Sequence, residues 1–183
     1  VDLQYSTYNR SLIPALKKRG LKIISEHESL SEEQKKFVDA YFEENVYPVL
    51  TPMAMDSSRP FPLIRNKTLN IGALICRKDG KEKHKTLDFA TVQVPSVLPR
   101  IVELPEGKDG EKRVILLEEI IERNIGQLFL SYDVVCAHPY RVMRNADLSI
   151  DEDEAEDLLK EIQKQLKKRQ WGEVIRLEID GKI

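Results

Sequence analysis

Several features that would place a chain in a special class are scarce in these 183 residues. Only two cysteines are present, Cys76 and Cys136, too few and too far apart for a disulfide framework or a zinc site. Both are predicted to be buried free thiols, which suits a reducing cytoplasm. No apolar run approaches the roughly 20 residues of a membrane span. The net charge of -2 gives no general attraction for nucleic acid, which is therefore not expected as a partner.

Signatures of catalysis are scarce as well. There is no glycine-rich loop followed by Lys-Ser or Lys-Thr, so a P-loop is excluded. Of the three histidines, His27 and His84 lie in charged loops and are predicted to be plain surface residues. His138 lies in an extended run and is predicted to be packed or hydrogen-bonded. The acidic residues 151–157 suit the first turns of a helix better than a cation cage, so no metal site is predicted.

Two periodicities alternate along the chain and predict its fold class. Apolar residues at helical spacing follow a capping box that joins Ser31 to Gln34. They also predict two later helices, Leu117–Leu128 and Ala155–Leu166. Alternation with period 2 predicts four strands of one sheet: Leu69–Cys76, Leu87–Val94, Val134–Val142 and Val174–Ile179. The expected fold is α+β, a mixed β-sheet covered by helices, with a short helical remnant at the N-terminus.

Individual positions are predicted within these elements. Leu159 lies at the centre of the apolar stripe of the last helix and is expected to be a core residue. Pro139 has no amide to donate, which predicts a bulge or an edge in its strand. The last strand is expected to bury one side, made of Ile175, Leu177 and Ile179. Val1 is not a natural start, and the chain stops just after this strand, so a longer parent protein is expected.

Several stretches, in this order and spacing, resemble the bacterial polyphosphate kinase family. They are Tyr47–Asp56, Arg59–Pro62, Val94–Arg100, Tyr140–Leu148, Asp153–Leu159 and Val174–Glu178. The family usually has His-Pro-Phe-Pro where this sequence has Arg59 and the three residues after it. The resemblance covers nearly the whole chain.

The resemblance implies an activity and a domain arrangement. The activity is reversible transfer of the terminal phosphate of ATP to inorganic polyphosphate through a phosphohistidine, with Mg²⁺ and ATP required by the parent enzyme. Residues 1–20 would end the N-terminal helical domain, and residues 21–183 would form the middle or head domain, which is involved in dimerisation. The catalytic residues would lie in missing domains, so this chain alone is expected to bind no cofactor and to be inactive. A cytoplasmic location is expected, with membrane association through the parent complex left open.

Three neighbouring residues, Arg141, Arg144 and Asn145, are the best candidates for contact with a polyanion or with another subunit. On an extended segment Arg141 and Met143 share one side, whereas Arg144 shares the other with Val142. A guanidinium group forks well onto phosphate oxygens. The alternative is a pair of salt bridges that serve the fold or an interface. Two further arginines are candidates of the same kind: Arg59 and Arg65.

Two other functions stay open at this point. The chain could be an independent module that binds nucleotide or polyphosphate without other domains. It could also be a small phosphatase-like enzyme, since an α/β domain of this size can host one. The second alternative needs a nucleophilic histidine or cysteine beside basic residues, and neither cysteine lies next to such a group in the sequence.

Overall fold

Helices and strands alternate along the residues that the computed structural model describes, which are 2–55, 62–78, 86–105, 110–145 and 172–179. The helices are α1 (Asp2–Thr7), α2 (Ile13–Lys18), α3 (Glu32–Tyr41) and α4 (Leu117–Asn124). Shorter π or 3₁₀ turns lie at Tyr8–Leu12, His27–Ser29, Phe42–Val46, Tyr47–Val49 and Ile125–Leu128. The strands are β1 (Leu21–Ile24), β2 (Met53–Ala54), β3 (Leu69–Arg77), β4 (Asp88–Gln93), β5 (Ile101–Glu103), β6 (Lys112–Leu116), β7 (Tyr132–Arg144) and β8 (Val174–Ile179).

The chain divides into two compact units, and each is made of two separate segments. The first unit comprises Val1–Thr51 and Val94–Leu130. Its sheet has three strands in the order β1-β6-β5, with β1 parallel to β6 and β5 antiparallel to it. Helix α4 follows β6 directly and contacts α3. The side chains that α4 buries completely are Leu117, Ile120 and Ile121.

The N-terminus of α3 is fixed by the predicted capping box. The amide of Gln34 donates to Ser31 Oγ at 3.3 Å, and the amide of Ser31 donates to Gln34 Oε1 at 3.2 Å. Two of the amides that a helix start leaves without partners are satisfied in this way. The apolar face that follows is buried at Val38 in the helix and at Phe42 in the turn directly after it, so local capping and tertiary burial act on the same segment.

The second unit comprises Pro52–Gln93 and Ser131–Ile183. Its described strands form one antiparallel sheet in the order β2-β4-β3-β7-β8. The strands alternate as period 2 predicts. One face carries small and branched side chains that are almost fully buried, listed here by strand: Ile71, Ala73 and Ile75, then Ala90 and Val92. The other face carries a groove that is described below.

Two irregularities occur in the long strand β7, which lies between β3 and β8. Its register with β3 shifts between Leu74 and Ile75, which places an extra residue in β7. Pro139 pairs with Ile71 of β3, whereas the described pairing with β8 begins only at Tyr140. At Pro139 the described part of β7 is therefore paired on one side only, with β3. This is the edge position predicted for a residue that has no amide hydrogen to donate.

The predicted fold class is confirmed, and the predicted sheet needs a correction. All four strands predicted from period 2 lie in one sheet, with ends within two residues of the prediction. That sheet is antiparallel, and the mixed sheet is the separate one in the first unit. The helix predicted over Leu117–Leu128 is formed as α4 and a 3₁₀ turn, within the first unit. Alternation identifies a strand but carries no information about its partner, which is why the two sheets were merged.

Some predictions are corrected and others lie outside the described residues. The last strand exposes the side that was expected inside, with Ile175, Leu177 and Ile179 at 66%, 58% and 47% exposure. The helix predicted at Ala155–Leu166, with Leu159, lies outside the described residues. The helical N-terminus is present as α1 and α2, and the proposed domain boundary at residue 20 stays a prediction.

Candidate anion-binding site

The end of β7 carries the two arginines that the sequence singles out, and its register sends them to opposite faces. Arg141 pairs with Leu69 of β3 and with Glu178 of β8. Val142 and Arg144 line the groove on the other face. The prediction that Arg141 and Arg144 point to different sides is therefore confirmed.

Arg144 is held by the fold itself. Its Nε donates to the carbonyl oxygen of Ile64 at 2.9 Å, and its Nη1 donates to the carbonyl oxygen of Gly172 at 2.9 Å. Its backbone amide donates to Asn66 Oδ1 at 3.0 Å. One residue thus joins three segments of the second unit, and two nitrogens of its guanidinium already have acceptors.

Asn145 continues this junction. Its amide donates to the carbonyl oxygen of Glu173 at 2.8 Å, which brings the two ends of the undescribed residues 146–171 together. A Cβ on Gly172 would collide with the backbone oxygen of Asn145. Glycine is required there because the two backbone segments approach so closely.

Arg141 differs from Arg144 in its bonding. Its Nε is buried and has no hydrogen-bond partner among the described residues. Glu178, its cross-strand neighbour, instead forms an ion pair with Arg176, whose Nε lies 3.3 Å from Glu178 Oε1. A buried donor without an acceptor carries a desolvation cost that a ligand or a partner group can remove. Arg141 is thus the candidate whose bonding the described residues leave incomplete.

More cations lie at the same end of the sheet. Lys67 donates its backbone amide to Val142, and the turn that contains Arg65 leads into β3 beside Arg141. We call the following five residues the basic cluster: Arg65, Lys67, Arg141, Arg144 and Arg176. Arg65 and Lys67 are exposed. The remaining candidate, Arg59, lies outside the described residues.

The groove on the opposite face has a volume of about 450 Å³ and a mostly apolar wall. Its lining includes Cys136, His138 and Tyr140 from alternate positions of β7. Tyr140 shares a hydrogen bond of 2.8 Å with Thr91, and burial raises the pKa of its phenol. Arg144 is the cation in the described lining, and two backbone carbonyls already engage it. The described wall therefore does not suit a phosphate-bearing ligand.

The histidines and cysteines take specific places. His27 is not a plain surface residue, because its side chain is only 19% exposed and its Nδ1 lies 3.4 Å from Glu119 Oε2. His138 is half-buried in the groove, and His84 lies outside the described residues. Cys76 is buried as predicted, whereas Cys136 is only half-buried.

Within the described residues, no group of three or more His, Cys, Asp or Glu side chains could hold a metal ion. The Mg²⁺ that the family resemblance implies for the parent enzyme is therefore not assigned to any of these side chains. Within the same residues, no helix is long and apolar enough to cross a membrane.

A family profile decides the identity of the domain. The profile described as the polyphosphate kinase middle domain matches residues 33–183. The chain belongs to the polyphosphate kinase family. The matched region includes the whole basic cluster and the groove.

Individual polyphosphate kinases are similar over nearly the full chain. The enzyme from Lactiplantibacillus plantarum is 50% identical over 180 residues, covering 98% of this chain and 24% of its own length. The enzyme from Bacillus anthracis is 43% identical over 180 residues, covering 98% and 25%. The chain thus spans about a quarter of the length of each of these two relatives.

A solved structure has the same fold. The crystal structure of polyphosphate kinase from Porphyromonas gingivalis matches with a TM-score of 0.70 at 23% identity, covering 92% of this chain and 27% of that one. At this level of identity the likeness establishes the α+β fold alone.

Three residues of this site were missed by the sequence reading. Arg176 joins the basic cluster through the pairing of β8 with β7, and Lys67 joins it through a backbone hydrogen bond to Val142. Asn66 bonds Arg144 from 78 residues away. A usable signal existed for Arg176, which shares one side of the last predicted strand with Glu178. The sequence pattern did not indicate that β7 is the strand beside it, and this pairing brings Arg176 close to Arg141.

Proposed function

We propose that the whole protein is a polyphosphate kinase that reversibly transfers the terminal phosphate of ATP to inorganic polyphosphate. The observation that carries the proposal is the match of the middle-domain profile to residues 33–183, together with relatives named polyphosphate kinase at up to 50% identity. ATP and polyphosphate would be its substrates, and Mg²⁺ would neutralise the transferring phosphates.

Within that enzyme, this chain is proposed to be an accessory head domain that supports dimerisation. A phosphohistidine mechanism needs a histidine beside cations that neutralise phosphate. Among the described residues, His27 faces glutamates and His138 lies in an apolar groove, so neither has that setting. The nucleophile and the ATP and Mg²⁺ sites are accordingly proposed to lie in the rest of the enzyme, which we expect in the cytoplasm.

The test compares the full-length protein with the 183-residue chain. Each is incubated with ATP, Mg²⁺ and a polyphosphate primer, after circular dichroism has shown that both are folded. We expect the full-length protein to make polyphosphate and to carry acid-labile label on a histidine outside residues 1–183. We expect the chain alone to give no product above a blank. Product formed by the chain, with label on any of its three histidines, would contradict the proposal.

The dimer is tested separately. Sedimentation equilibrium of the full-length protein should give a dimer or a larger assembly. Deleting residues 21–183 would not test the contact if the shortened protein failed to fold. The 183-residue chain is therefore added to the full-length protein as a competitor. Added chain should dissociate the full-length assembly if the head domain supplies the contact. A monomeric full-length protein at micromolar concentration would contradict this role.

An independent binding module is the second candidate, and the basic cluster is the observation that favours it. A module of this kind would bind polyphosphate or nucleotide as the isolated chain. Titration of the folded chain with labelled polyphosphate distinguishes the two functions. Binding without any activity in the full-length protein would favour the module.

A further inference from the structure

The end of the five-stranded sheet that carries the basic cluster has an excess of positive charge among its described residues. The described segments that meet there are residues 65–69, 141–145 and 172–178, and they contain five cations but only two carboxylates. The carboxylates are Glu173 and Glu178. This local excess contrasts with the net charge of -2 of the whole chain. A local field of this sign attracts anions even where the protein as a whole does not.

Within the cluster, the two half-buried arginines are in different states. Arg144 donates to two backbone carbonyls, so its orientation is set by the fold. Arg141 has a buried Nε to which no described residue offers an acceptor, and the acid that the register places beside it is paired with Arg176. Ile64 supplies such an acceptor to Arg144, whereas none of the described residues supplies one to Arg141 Nε.

We propose that Arg141 is the anchor of a polyphosphate-binding site, with Arg65, Lys67 and Arg176 supplying further positive charge around it. The inference rests on the proposed function, since polyphosphate is the substrate proposed there. A linear polyanion with a negative charge on each phosphate can contact several cations at once. The planar guanidinium forks onto two oxygens of one phosphate, which a lysine cannot do.

The position of Arg141 favours this ligand over a protein carboxylate. Arg176, which pairs with Met143 two residues further along β7, and the turn residues Arg65 and Lys67 are exposed, so a long polymer can reach all of them. One carboxylate would satisfy one guanidinium and leave the rest of the excess charge in place. The site acts in binding, and no covalent step is assigned to it.

The experiment measures binding and turnover by the full-length protein and its variants. Arg141→Ala is expected to weaken the binding of fluorescently labelled polyphosphate about tenfold to a hundredfold, the effect of losing one charge-assisted contact. The KM for polyphosphate in the reverse reaction should rise by a similar factor, while the KM for ADP stays unchanged. Arg141→Lys keeps the positive charge but cannot bind two phosphate oxygens at once. Its affinity for polyphosphate should therefore lie between that of the wild-type protein and that of Arg141→Ala.

A matched control is available on the same sheet. Arg77 stacks on the ring of Tyr132 at 5.9 Å and lies at the other end of β3, roughly 26 Å from Leu69 at ~3.3 Å per residue. Arg77→Ala removes the same charge from the protein and should leave polyphosphate affinity unchanged. The two variants should also differ in how polyphosphate affinity depends on salt. In Arg141→Ala the affinity should fall less steeply with rising salt concentration, because a phosphate contact is lost, whereas Arg77→Ala should behave like the wild type.

Several outcomes would overturn the inference, and each is distinct from failure of the proposed function. Unchanged polyphosphate affinity in Arg141→Ala would refute it, whether the melting temperature falls or the dimer weakens. An equal loss of polyphosphate affinity in Arg77→Ala would show that the effect comes from the net charge of the protein and not from a site at Arg141. If the wild-type protein binds polyphosphate through Arg141 but makes none from ATP, the proposed activity fails while the site stands.

Discussion

The guanidinium of Arg123 donates a hydrogen bond to each oxygen of the Asp39 carboxylate, with Nε–Oδ1 at 2.8 Å and Nη2–Oδ2 at 3.0 Å. This fork joins α4 to α3, and it lowers the pKa of Asp39 mainly through the hydrogen bonds from Arg123. Both side chains are partly exposed, at 22% and 39%, so solvent screens the pair.

We expect a small but measurable coupling between these two residues. Arg123→Ala and Asp39→Ala should each lower the free energy of unfolding, and a double-mutant cycle in urea should give a coupling of about 0.5–1 kcal/mol, near the upper end for exposed pairs. Arg123→Lys should keep less than half of it, because a lysine cannot bind both oxygens. Additive single changes would show that the contact contributes nothing to stability.

The His27–Glu119 pair predicts a pH dependence of stability. The hydrogen bond to Glu119 raises the pKa of His27 above its ordinary 6.5, Glu28 and Glu122 add to the rise, and burial opposes it. Because the folded pKa exceeds the unfolded value, the stabilisation is complete below about pH 6.5 and is lost as pH rises through the folded pKa. His27→Gln should therefore destabilise the protein more at about pH 5.5 than at about pH 8.5.

Urea unfolding at the two pH values measures this difference. In a Glu119→Gln background the pH dependence of the His27→Gln effect should shrink, because the main cause of the raised pKa is gone. An effect of His27→Gln that is the same at both pH values would contradict the assignment.

The junction between β7 and β8 predicts a strong effect of a single methyl group. In Gly172→Ala the new Cβ would collide with the backbone oxygen of Asn145, and no flexible side chain is there to move aside. We expect a loss of about 1–3 kcal/mol in unfolding free energy, the usual cost of overpacking. Amide exchange at Asn145 should accelerate, since its bond to Glu173 must open.

Gly126 provides the matched control, since nothing lies within 4 Å of a Cβ built there. Gly126→Ala should change stability by less than about 1 kcal/mol, in either direction. Equal effects of the two changes would mean that the close approach at Gly172 is absent in solution.

The capping box of α3 gives the fourth prediction. Ser31→Ala removes the acceptor for the amide of Gln34 and should cost about 1 kcal/mol. Ser31→Asp retains a side-chain oxygen at this position and should preserve most of the stability. Thermal unfolding of the three proteins tests the ranking, which would be refuted if Ser31→Asp were no better than Ser31→Ala.

Local features were predictable from the sequence because their causes are local. The capping box joins residues three apart, and alternation located β3, β4, β7 and β8 to within two residues. The bonds that shape the candidate site are of another kind. Arg144 finds its acceptors 80 and 28 residues away, and His27 meets Glu119 across 92 residues. Such partners depend on strand pairing, about which a single sequence says little.

The parallel pairing of β1 with β6 has a consequence for how the chain folds. These strands are separated by about ninety residues, and the intervening chain includes the first half of the other unit. Closing a loop of this length costs entropy, and long-range parallel pairing slows folding. The antiparallel β3–β4 pair lies wholly inside that loop. If it forms early, it shortens the open loop, so the assembly of the first unit would be governed kinetically by strands of the second.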